Sequence, residues 1–369
     1  MNIVVSGGGT GGHVNPALAI ADIVKAHEPD AEISYVGTSK GIENKLVPAA
    51  GYTLYHVEVQ GLKRSLSLSN LKTAWMAATS ISKAKELLKK LRPDVVIGSG
   101  GYVCWPVVKA AHDLGIPCAL HESNAIPGFA VKMLEKDADR IFVNFEETKA
   151  ALKHPEKAER VGNPLRGGFS AISRDEARKR LGAEDYDLCV LSYGGSMGAE
   201  RVNDEILAVM EKYTSSQPKI RHMHATGSIE WPIASVQFRE KGLDRFPNLR
   251  CVEYIYNMPE EMAAADLIIC RAGAMTLSEL ALMKKPCILI PSPNVADNHQ
   301  YKNARVLQDK GATVVFEEKE LSGDILTDTV KRICSDPSER ERMSGAISGF
   351  AVPDAAERIY AGLKEISGK

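Results

Sequence analysis

Three segments set glycines and polar side chains in an order suited to phosphate chemistry. The first reads Val4-Val5-Ser6-Gly7-Gly8-Gly9-Thr10-Gly11-Gly12-His13 and the second Val96-Ile97-Gly98-Ser99-Gly100-Gly101-Tyr102. The third is Leu191-Ser192-Tyr193-Gly194-Gly195-Ser196-Met197-Gly198-Ala199. In each, an apolar run enters glycines just before a helical pattern. Glycine lets the backbone come close to a ligand, and a helix starting there offers unpaired N–H groups and a partial positive charge. Three such turns imply more than one phosphorylated ligand, although glycine turns can also be plain packing corners. His13 follows five glycines at a helix start, where it is either a structural histidine or a neutral base facing a ligand. His121-Glu122-Ser123-Asn124 puts an acid, a base and an amide at a strand's end, or forms a hydrogen-bonded loop.

The spacing Gly7-x-Gly9-x-x-Gly12 also matches the dinucleotide fingerprint. That fingerprint needs an acid at the end of the second strand to hold a ribose, and here the strand ends Val36-Gly37-Thr38-Ser39-Lys40. No G-x-x-x-x-G-K-[ST] occurs, so nicotinamide and P-loop chemistry are both disfavoured.

In the second half, Cys270-Arg271-Ala272-Gly273 leads into a helical pattern beginning at Ala274. The amides of Ala274, Met275, Thr276 and Leu277 are expected to meet a diphosphate. Glu279, one turn further, is placed to accept both hydroxyls of a ribose, unless Thr276-x-x-Glu279 is a capping box. Pro291 to Gln300 is a polar loop suited to sugar hydroxyls.

The elements that must position these groups follow from the rhythm of the chain. Short β-branched runs alternate with helical patterns at Ile3–Ser6, Ile33–Gly37, Val95–Gly98, Cys118–His121 and Ile141–Asn144. The rhythm restarts at Leu188–Tyr193 and continues through Ile220–Ala225, Leu249–Tyr254, Leu267–Cys270, Cys287–Pro291 and Thr313–Phe316. Parallel βαβ units explain this alternation, so the fold class is α/β with two doubly wound Rossmann-like domains. Parallel sheets hold ligands at the carboxyl ends of their strands, and the two domains are expected to face one another across a cleft. Turn formers at Gly162-Asn163-Pro164-Leu165-Arg166-Gly167-Gly168 set the boundary. The predicted domains are 1–163 and 164–340, with a helical tail, 341–369, broken at Val352-Pro353 and placed back on the first domain.

Composition narrows the class. With 369 residues, 44% hydrophobic and 25% charged, the chain is ordinary globular material for two or three domains. The 46 Lys and Arg nearly cancel the 47 Asp and Glu, which argues against a general nucleic-acid binder. Seven scattered cysteines without a C-x-x-C pair indicate neither a disulfide framework nor a zinc site. No secretory leader or long apolar stretch is seen at the start, so a cytosolic, non-spanning protein is expected.

Taken together, Gly8-Gly9-Thr10-Gly11-Gly12-His13 with Pro16-Ala17-Leu18, Gly100-Gly101-Tyr102-Val103, His121-Glu122-x-Asn124, Gly162-Asn163-Pro164-x-Arg166, Gly194-Gly195-Ser196-x-Gly198 and Cys270-Arg271-x-Gly273-Ala274 carry a resemblance. The chain resembles the MurG family of bacterial undecaprenyl-diphospho-muramoylpentapeptide β-N-acetylglucosaminyltransferases, of the GT-B fold, from residue 2 to about residue 360. The resemblance implies transfer of GlcNAc from UDP-GlcNAc to the C4 hydroxyl of the muramoyl sugar of lipid I, giving lipid II. It implies donor binding by Thr10, Gly11, Gly12, Asn124, Arg166, Ser196, the backbone of Ile255, the run Ala274, Met275, Thr276, Leu277, Ser278 and Glu279, and Gln300. Gly9, Gly100, Gly101 and Tyr102 are expected at the acceptor diphosphate. Ser123, Met197 and Trp105 depart from the family pattern.

Such a reaction inverts the anomeric carbon and needs a base for the acceptor hydroxyl, with His13 the first choice and Glu122 the second. Helix N-termini and Arg166 would stabilise the leaving UDP without a metal or other cofactor. Other readings are a different GT-B enzyme, such as a diacylglycerol galactosyltransferase or a natural-product glycosyltransferase, and a non-catalytic sugar-nucleotide-binding regulator.

One stretch is strongly polarised. Between Gly61 and Arg92 lie eight basic residues and one acid, while the whole chain carries −1. Leu66, Leu68 and Trp75 beside Lys63, Arg64 and Lys72 are expected to form an apolar patch ringed by cations, facing an anionic membrane surface at its cytoplasmic side. Otherwise they widen a core face behind a solvated rim.

Overall fold

The computed structural model describes residues 1–59, 69–166, 168–169, 172–321 and 324–369, with the backbone alone described over 69–78. It divides into two compact units, Met1–Arg166 with Val352–Lys369, and Gly167–Ala351.

The first unit contains seven parallel strands: β1 Ile3–Ser6, β2 Ile33–Gly37, β3 Thr53–His56, β4 Val95–Gly98, β5 Cys118–Glu122, β6 Arg140–Val143 and β7 Ala158–Arg160. Their order is β3-β2-β1-β4-β5-β6-β7. Helices α1 Gly11–His27, α2 Glu43–Ala49, α3 Ser69–Leu91, α4 Cys104–Asp113 and α5 Phe129–Leu134 cross between them. The central strands are continuous apolar runs because helices cover both faces. Val4, Val96 and Leu120 pack on one side with Leu88 of α3, whereas Val5, Ile97 and Phe142 pack on the other with Leu18 and Ile20 of α1. β3 and β7 escape the sequence reading because they lie at the edges, where Thr53–His56 is half-exposed and Ala158–Arg160 is short and charged.

The second unit repeats the plan with β8 Leu188–Tyr193, β9 Ile220–Ala225, β10 Leu249–Val252, β11 Leu267–Cys270, β12 Cys287–Leu289 and β13 Thr313–Val315, in the order β10-β9-β8-β11-β12-β13. Its helices are α6 Arg174–Arg180, α7 Glu200–Lys212, α8 Trp231–Glu240, α9 Met258–Ala264, α10 Ala274–Leu282, α11 His299–Asp309, α12 Ile325–Ser335 and α13 Pro337–Ser348. The tail expected as one piece from 341 is divided. α13 buries Met343 in the second unit's core, whereas the last helix, α14 Ala355–Ser367, buries Ile359 and Leu363 against the first.

Each sheet reverses its winding once, between β1 and β4 and between β8 and β11. Ser6 pairs with Gly98 and Tyr193 with Cys270, so the two strands at each reversal end level and their following turns start side by side. That is the place where doubly wound sheets bind ligands, and three of these four turns are the glycine segments.

Candidate active site

In the first unit the Thr10 carbonyl accepts from the amides of His13 and Val14, both at 3.1 Å, and starts α1. The amides of Gly11 and Gly12 have no acceptor among the described residues and are open to a ligand. The turn after β4 interleaves with this one. A Cβ on Gly101 (φ +81) would lie 2.4 Å from the Gly8 carbonyl oxygen, and one on Gly100 (φ +111) 2.6 Å from His13 Cδ2. Only glycine fits at either place. Gly9, Gly100, Gly101 and His13 are thus brought together, and Tyr102 follows with its side chain 59% exposed.

His13 is half-buried, with Nδ1 3.1 Å from the Gly8 carbonyl and 3.4 Å from Thr10 Oγ1. A carbonyl can only accept, so this network assigns the proton to Nδ1 and leaves the Nε2 lone pair free for a substrate proton. Burial lowers the imidazole pKa below its usual 6.5, opposed by the Gly8 carbonyl and by Glu43, and keeps the ring neutral at pH 7.

Glu122 is differently placed. One oxygen accepts from the Asn124 amide at 2.9 Å and its side-chain Nδ2 at 3.0 Å, and the other accepts from the Gly128 amide at 2.7 Å. This carboxylate organises the loop after β5 and fixes Asn124. Beside it, His121 is fully buried, donates to the Gly162 carbonyl at 3.1 Å and is pushed down to about 4 by burial. Arg166 donates to Asp22 of α1 at 2.6 Å, and Asp22 also accepts from Tyr52 at 2.8 Å. The arginine expected at the donor therefore has its partner within the first unit.

Sequence reasoning missed Glu43. An acid at the start of a short helix reads as surface, yet its exposure is 0%. It accepts from the Gly9 amide at 3.0 Å, the Thr38 amide at 2.9 Å and the Thr38 hydroxyl at 2.7 Å. Burial alone would raise its pKa, but these hydrogen bonds outweigh burial and hold the carboxyl below its usual value. The acid absent from the end of β2 thus arrives from α2 and binds the protein's own glycine turn.

In the second unit, Gly195 (φ +100) and Gly198 (φ +97) shape the turn after β8. Ser196 and Met197 are exposed, and their carbonyls accept from the amides of Ser228 at 3.0 Å and Ile229 at 3.1 Å. Under the turn, Ser192 Oγ lies 2.9 Å from His224 Nδ1, and His224 Nε2 lies 3.1 Å from Asn203 Oδ1.

The turn after β11 begins α10, with Gly273 as N-cap. Leu277 donates to the Gly273 carbonyl at 3.0 Å, so the expected cradle loses that amide, while those of Met275 and Thr276 have no acceptor among the described residues. Thr276 is the third helical residue rather than the N-cap, which removes the capping-box reading of Glu279. Glu279 is half-buried and has no hydrogen-bond partner among the described residues, and burial pushes its carboxyl up to about 7. Ser278 donates to the Ala274 carbonyl at 3.2 Å within the helix. Gln300 Oε1 accepts from the Ser292 amide at 2.9 Å, which pins the polar loop, and its NH₂ has no acceptor among the described residues. The Ile255 side chain is buried, and its backbone N–H and C=O have no partner among the described residues.

Lys63, Arg64, Leu66 and Leu68 lie outside the described residues, and Lys72 and Trp75 sit in α3 with their side chains outside them. Lys85, one of the cations of that stretch, pairs with Asp113 of α4 at 2.8 Å. Trp105 packs against the first unit's core. Among the described residues no helix is long and apolar enough to cross a membrane.

Comparison with known proteins bears on this arrangement. Residues 3–143 match the glycosyltransferase family 28 N-terminal domain and residues 189–359 its C-terminal domain. The chain is 39% identical over 366 residues to the UDP-N-acetylglucosamine--N-acetylmuramyl-(pentapeptide) pyrophosphoryl-undecaprenol N-acetylglucosamine transferase of Acetivibrio thermocellus, covering 99% of this chain and 98% of that one. It is 42% identical to the protein of the same name from Ruminiclostridium cellulolyticum, covering 99% and 100%. The crystal structure of Acinetobacter baumannii MurG superposes with a TM-score of 0.79 at 26% identity, over 99% of each chain. The protein, with two Rossmann-like domains and a match in each, belongs to glycosyltransferase family 28.

Proposed function

We propose that this glycosyltransferase moves GlcNAc from UDP-GlcNAc to the C4 hydroxyl of MurNAc-pentapeptide-diphospho-undecaprenol, converting lipid I to lipid II. The observation that carries the reading is the pairing of anion-binding turns with sheet reversals in both units, because donor and acceptor are both diphosphates. The names of full-length relatives at about 40% identity supply the substrates.

Residues 1–163 take the acceptor, with its diphosphate on Gly9, Gly100, Gly101 and Tyr102. Residues 164–340 take the donor. The open amides of Met275 and Thr276 and the turn at Ser196 meet the UDP diphosphate, Glu279 accepts the ribose hydroxyls, the free backbone of Ile255 matches the uracil edge, and Gln300 holds the GlcNAc. Thr10, Gly11, Gly12, Asn124 and Arg166 are the remaining donor-binding residues of this reading.

In the reaction the acceptor O4 forms a bond to the anomeric carbon as the bond to UDP breaks on the opposite face. The hydroxyl proton passes to His13 Nε2, and the helix N-termini stabilise the charge gained by UDP. Glu122, with both oxygens engaged by its own loop, positions Asn124. No cofactor takes part in this scheme. The lipid-linked acceptor is reached from the cytoplasmic face of the membrane, where the enzyme docks peripherally by the basic stretch 61–92.

The test is to supply UDP-GlcNAc or UDP-galactose with a short-chain lipid I analogue and follow the product. GlcNAc transfer supports the reading. Preference for UDP-galactose and a diacylglycerol, or donor binding with neither transfer nor hydrolysis, refutes it.

A further inference from the structure

We infer that Glu43 is a positioning residue for His13 and acts through the single peptide group that joins Gly8 to Gly9. This inference rests on the reading of His13 as the base. The carbonyl of that group, Gly8 O, takes the proton of His13 Nδ1 at 3.1 Å, and its amide, Gly9 N, donates to Glu43 Oε2 at 3.0 Å. In a trans peptide these two groups point in opposite directions, so carboxylate, peptide and imidazole form one hydrogen-bonded line. No cis peptide bond occurs among the described residues.

The carboxylate draws on the amide hydrogen, polarises the group and makes the Gly8 oxygen a stronger acceptor. Such strengthening along a chain is about 10–30% per bond. It favours the Nδ1–H tautomer and raises the proton affinity of Nε2. A carboxylate backing a histidine is familiar from hydrolytic triads, and here one peptide unit is interposed.

The surroundings are built for this contact. A Cβ on Gly8 would lie 2.6 Å from Glu43 Oε1, on Gly37 2.7 Å from its Cγ, and on Gly41 2.0 Å from Oε2. Three glycines thus make room for one side chain. A buried anion beneath a turn that takes diphosphate opposes ligand binding, so folding alone is a poor reason to keep it. Among the described residues, the other groups in contact with His13 are uncharged. Thr10 Oγ1 faces the ring from its own turn, Ser99 Oγ bonds the His13 carbonyl from the β4–α4 turn, and the Gly100 backbone underlies the ring. Tyr35 of β2 donates to the Gly7 carbonyl at 2.9 Å, and Cys104 of α4 lies against Gly98. Burial pushes the Tyr35 phenol up and the Cys104 thiol up to about 12, so both stay protonated at neutral pH.

The experiment uses the full-length enzyme, with its imidazole nitrogens ¹⁵N-labelled, and reads the His13 tautomer by two-bond ¹H–¹⁵N correlation. The wild type is expected to hold the proton on Nδ1 above the ring's pKa. In Glu43→Gln the tautomer is expected to shift toward Nε2–H, and the acid limb of the kcat–pH profile to move to lower pH. kcat is expected to fall about 10- to 100-fold, less than the roughly 10²–10⁴ the base itself supplies. The acceptor KM should stay nearly constant. An Nε2–H tautomer in the wild type overturns the inference even if the variant fails to fold. A folded Glu43→Gln that keeps the acid limb, or changes only KM, overturns it as well. His13→Gln separates the two claims. If it retains turnover, the base reading and the relay fail together. If it abolishes turnover while Glu43→Gln leaves the limb in place, the relay alone fails.

Discussion

Ser99 ties the two glycine turns of the first unit to each other through His13, its hydroxyl lying 2.8 Å from the His13 carbonyl and 3.2 Å from that of Ser6. The turns therefore behave as one body, and a change in the second is felt by the first. Gly101→Ala must move the Gly8 carbonyl out of the way and hold alanine at φ +81, at a cost of about 1–3 kcal/mol in local strain. The expected result is a severe loss of kcat with the lipid I analogue and nearly unchanged UDP affinity by calorimetry. Equal losses of UDP binding would show that the turn serves the donor instead.

Glu279 yields a prediction whose sign is set by its raised pKa. The ribose hydroxyls need the ionised carboxylate, so UDP affinity is expected to strengthen as pH rises through about 7, with proton release on binding below that pH. Without ligand the order reverses. The folded carboxyl titrates above its unfolded value, so its contribution to stability is complete below about 4.5 and is lost as pH rises through about 7. Glu279→Gln should therefore stabilise the unliganded protein at pH 8 by on the order of 1 kcal/mol, while weakening UDP-GlcNAc by roughly 1–3 kcal/mol. A variant less stable than the wild type at pH 8, with donor affinity intact, would assign Glu279 a structural role. UDP should also raise the thermal midpoint of the wild type, and EDTA should leave turnover nearly unchanged.

Three buried histidines make stability fall in mild acid. His121 and His224 are pushed down to about 4 and His222 to about 3, mainly by burial. Unfolding restores values near 6.5, so the unfolded chain binds more protons below that pH, and stability drops as pH falls from about 6.5 toward 4. Each histidine contributes about 1.4 kcal/mol per pH unit across that window. Urea midpoints at pH 7.5, 6.0 and 5.0 check this, and a flat midpoint would contradict it.

The fold was legible because both sheets are covered on both faces, which writes nearly every central strand as an uninterrupted apolar run. The edge strands β3 and β7 lack that signature. In the site, backbone-driven features were readable, since Gly100 and Gly101 need their positive φ whatever surrounds them. Side-chain partnerships were not. Glu43 turns inward because Gly8, Gly37 and Gly41 leave it room, Arg166 pairs with an aspartate 144 positions away, and Glu122 spends both oxygens on its own loop. The Arg166–Asp22 and Glu43–Gly9 contacts join distant positions, and the loop bonds of Glu122 depend on a turn conformation that residue types alone do not specify.

The return of the chain to the first unit is expected to be an energetic necessity. α14 buries Ile359 and Leu363 at 0% exposure and sets Gly362 so close to Phe142 that an added Cβ would lie 2.7 Å from the ring. Its polar rim includes His27 stacked on Tyr360 at 4.4 Å and Arg140 bonded to Glu365 at 2.8 Å. Leu363→Ala should lower stability by about 2–5 kcal/mol, the usual result of emptying a packed leucine site. Denaturant midpoints read this directly, and a loss below about 0.5 kcal/mol would mean that the surface pairs hold the helix.

Docking to the membrane is the last expectation, and it rests on the charge pattern of residues 61–92. Eight cations against one acid next to Leu66, Leu68 and Trp75 suit an anionic leaflet, at about 1 kcal/mol for each basic residue near the surface. Pairing of Lys85 with Asp113 removes one cation from that count, which shifts the weight to Lys63, Arg64 and Lys72. Co-sedimentation with phosphatidylglycerol or cardiolipin liposomes should be strong at low salt and fall as salt rises, because exposed charges are screened beyond about 10 Å at 0.1 M. Trp75→Ala should weaken it by removing apolar contact, and Lys63→Glu with Arg64→Glu should weaken it further by inverting two charges. Equal binding to neutral and anionic liposomes, or no loss in these variants, would place the docking face elsewhere on the protein.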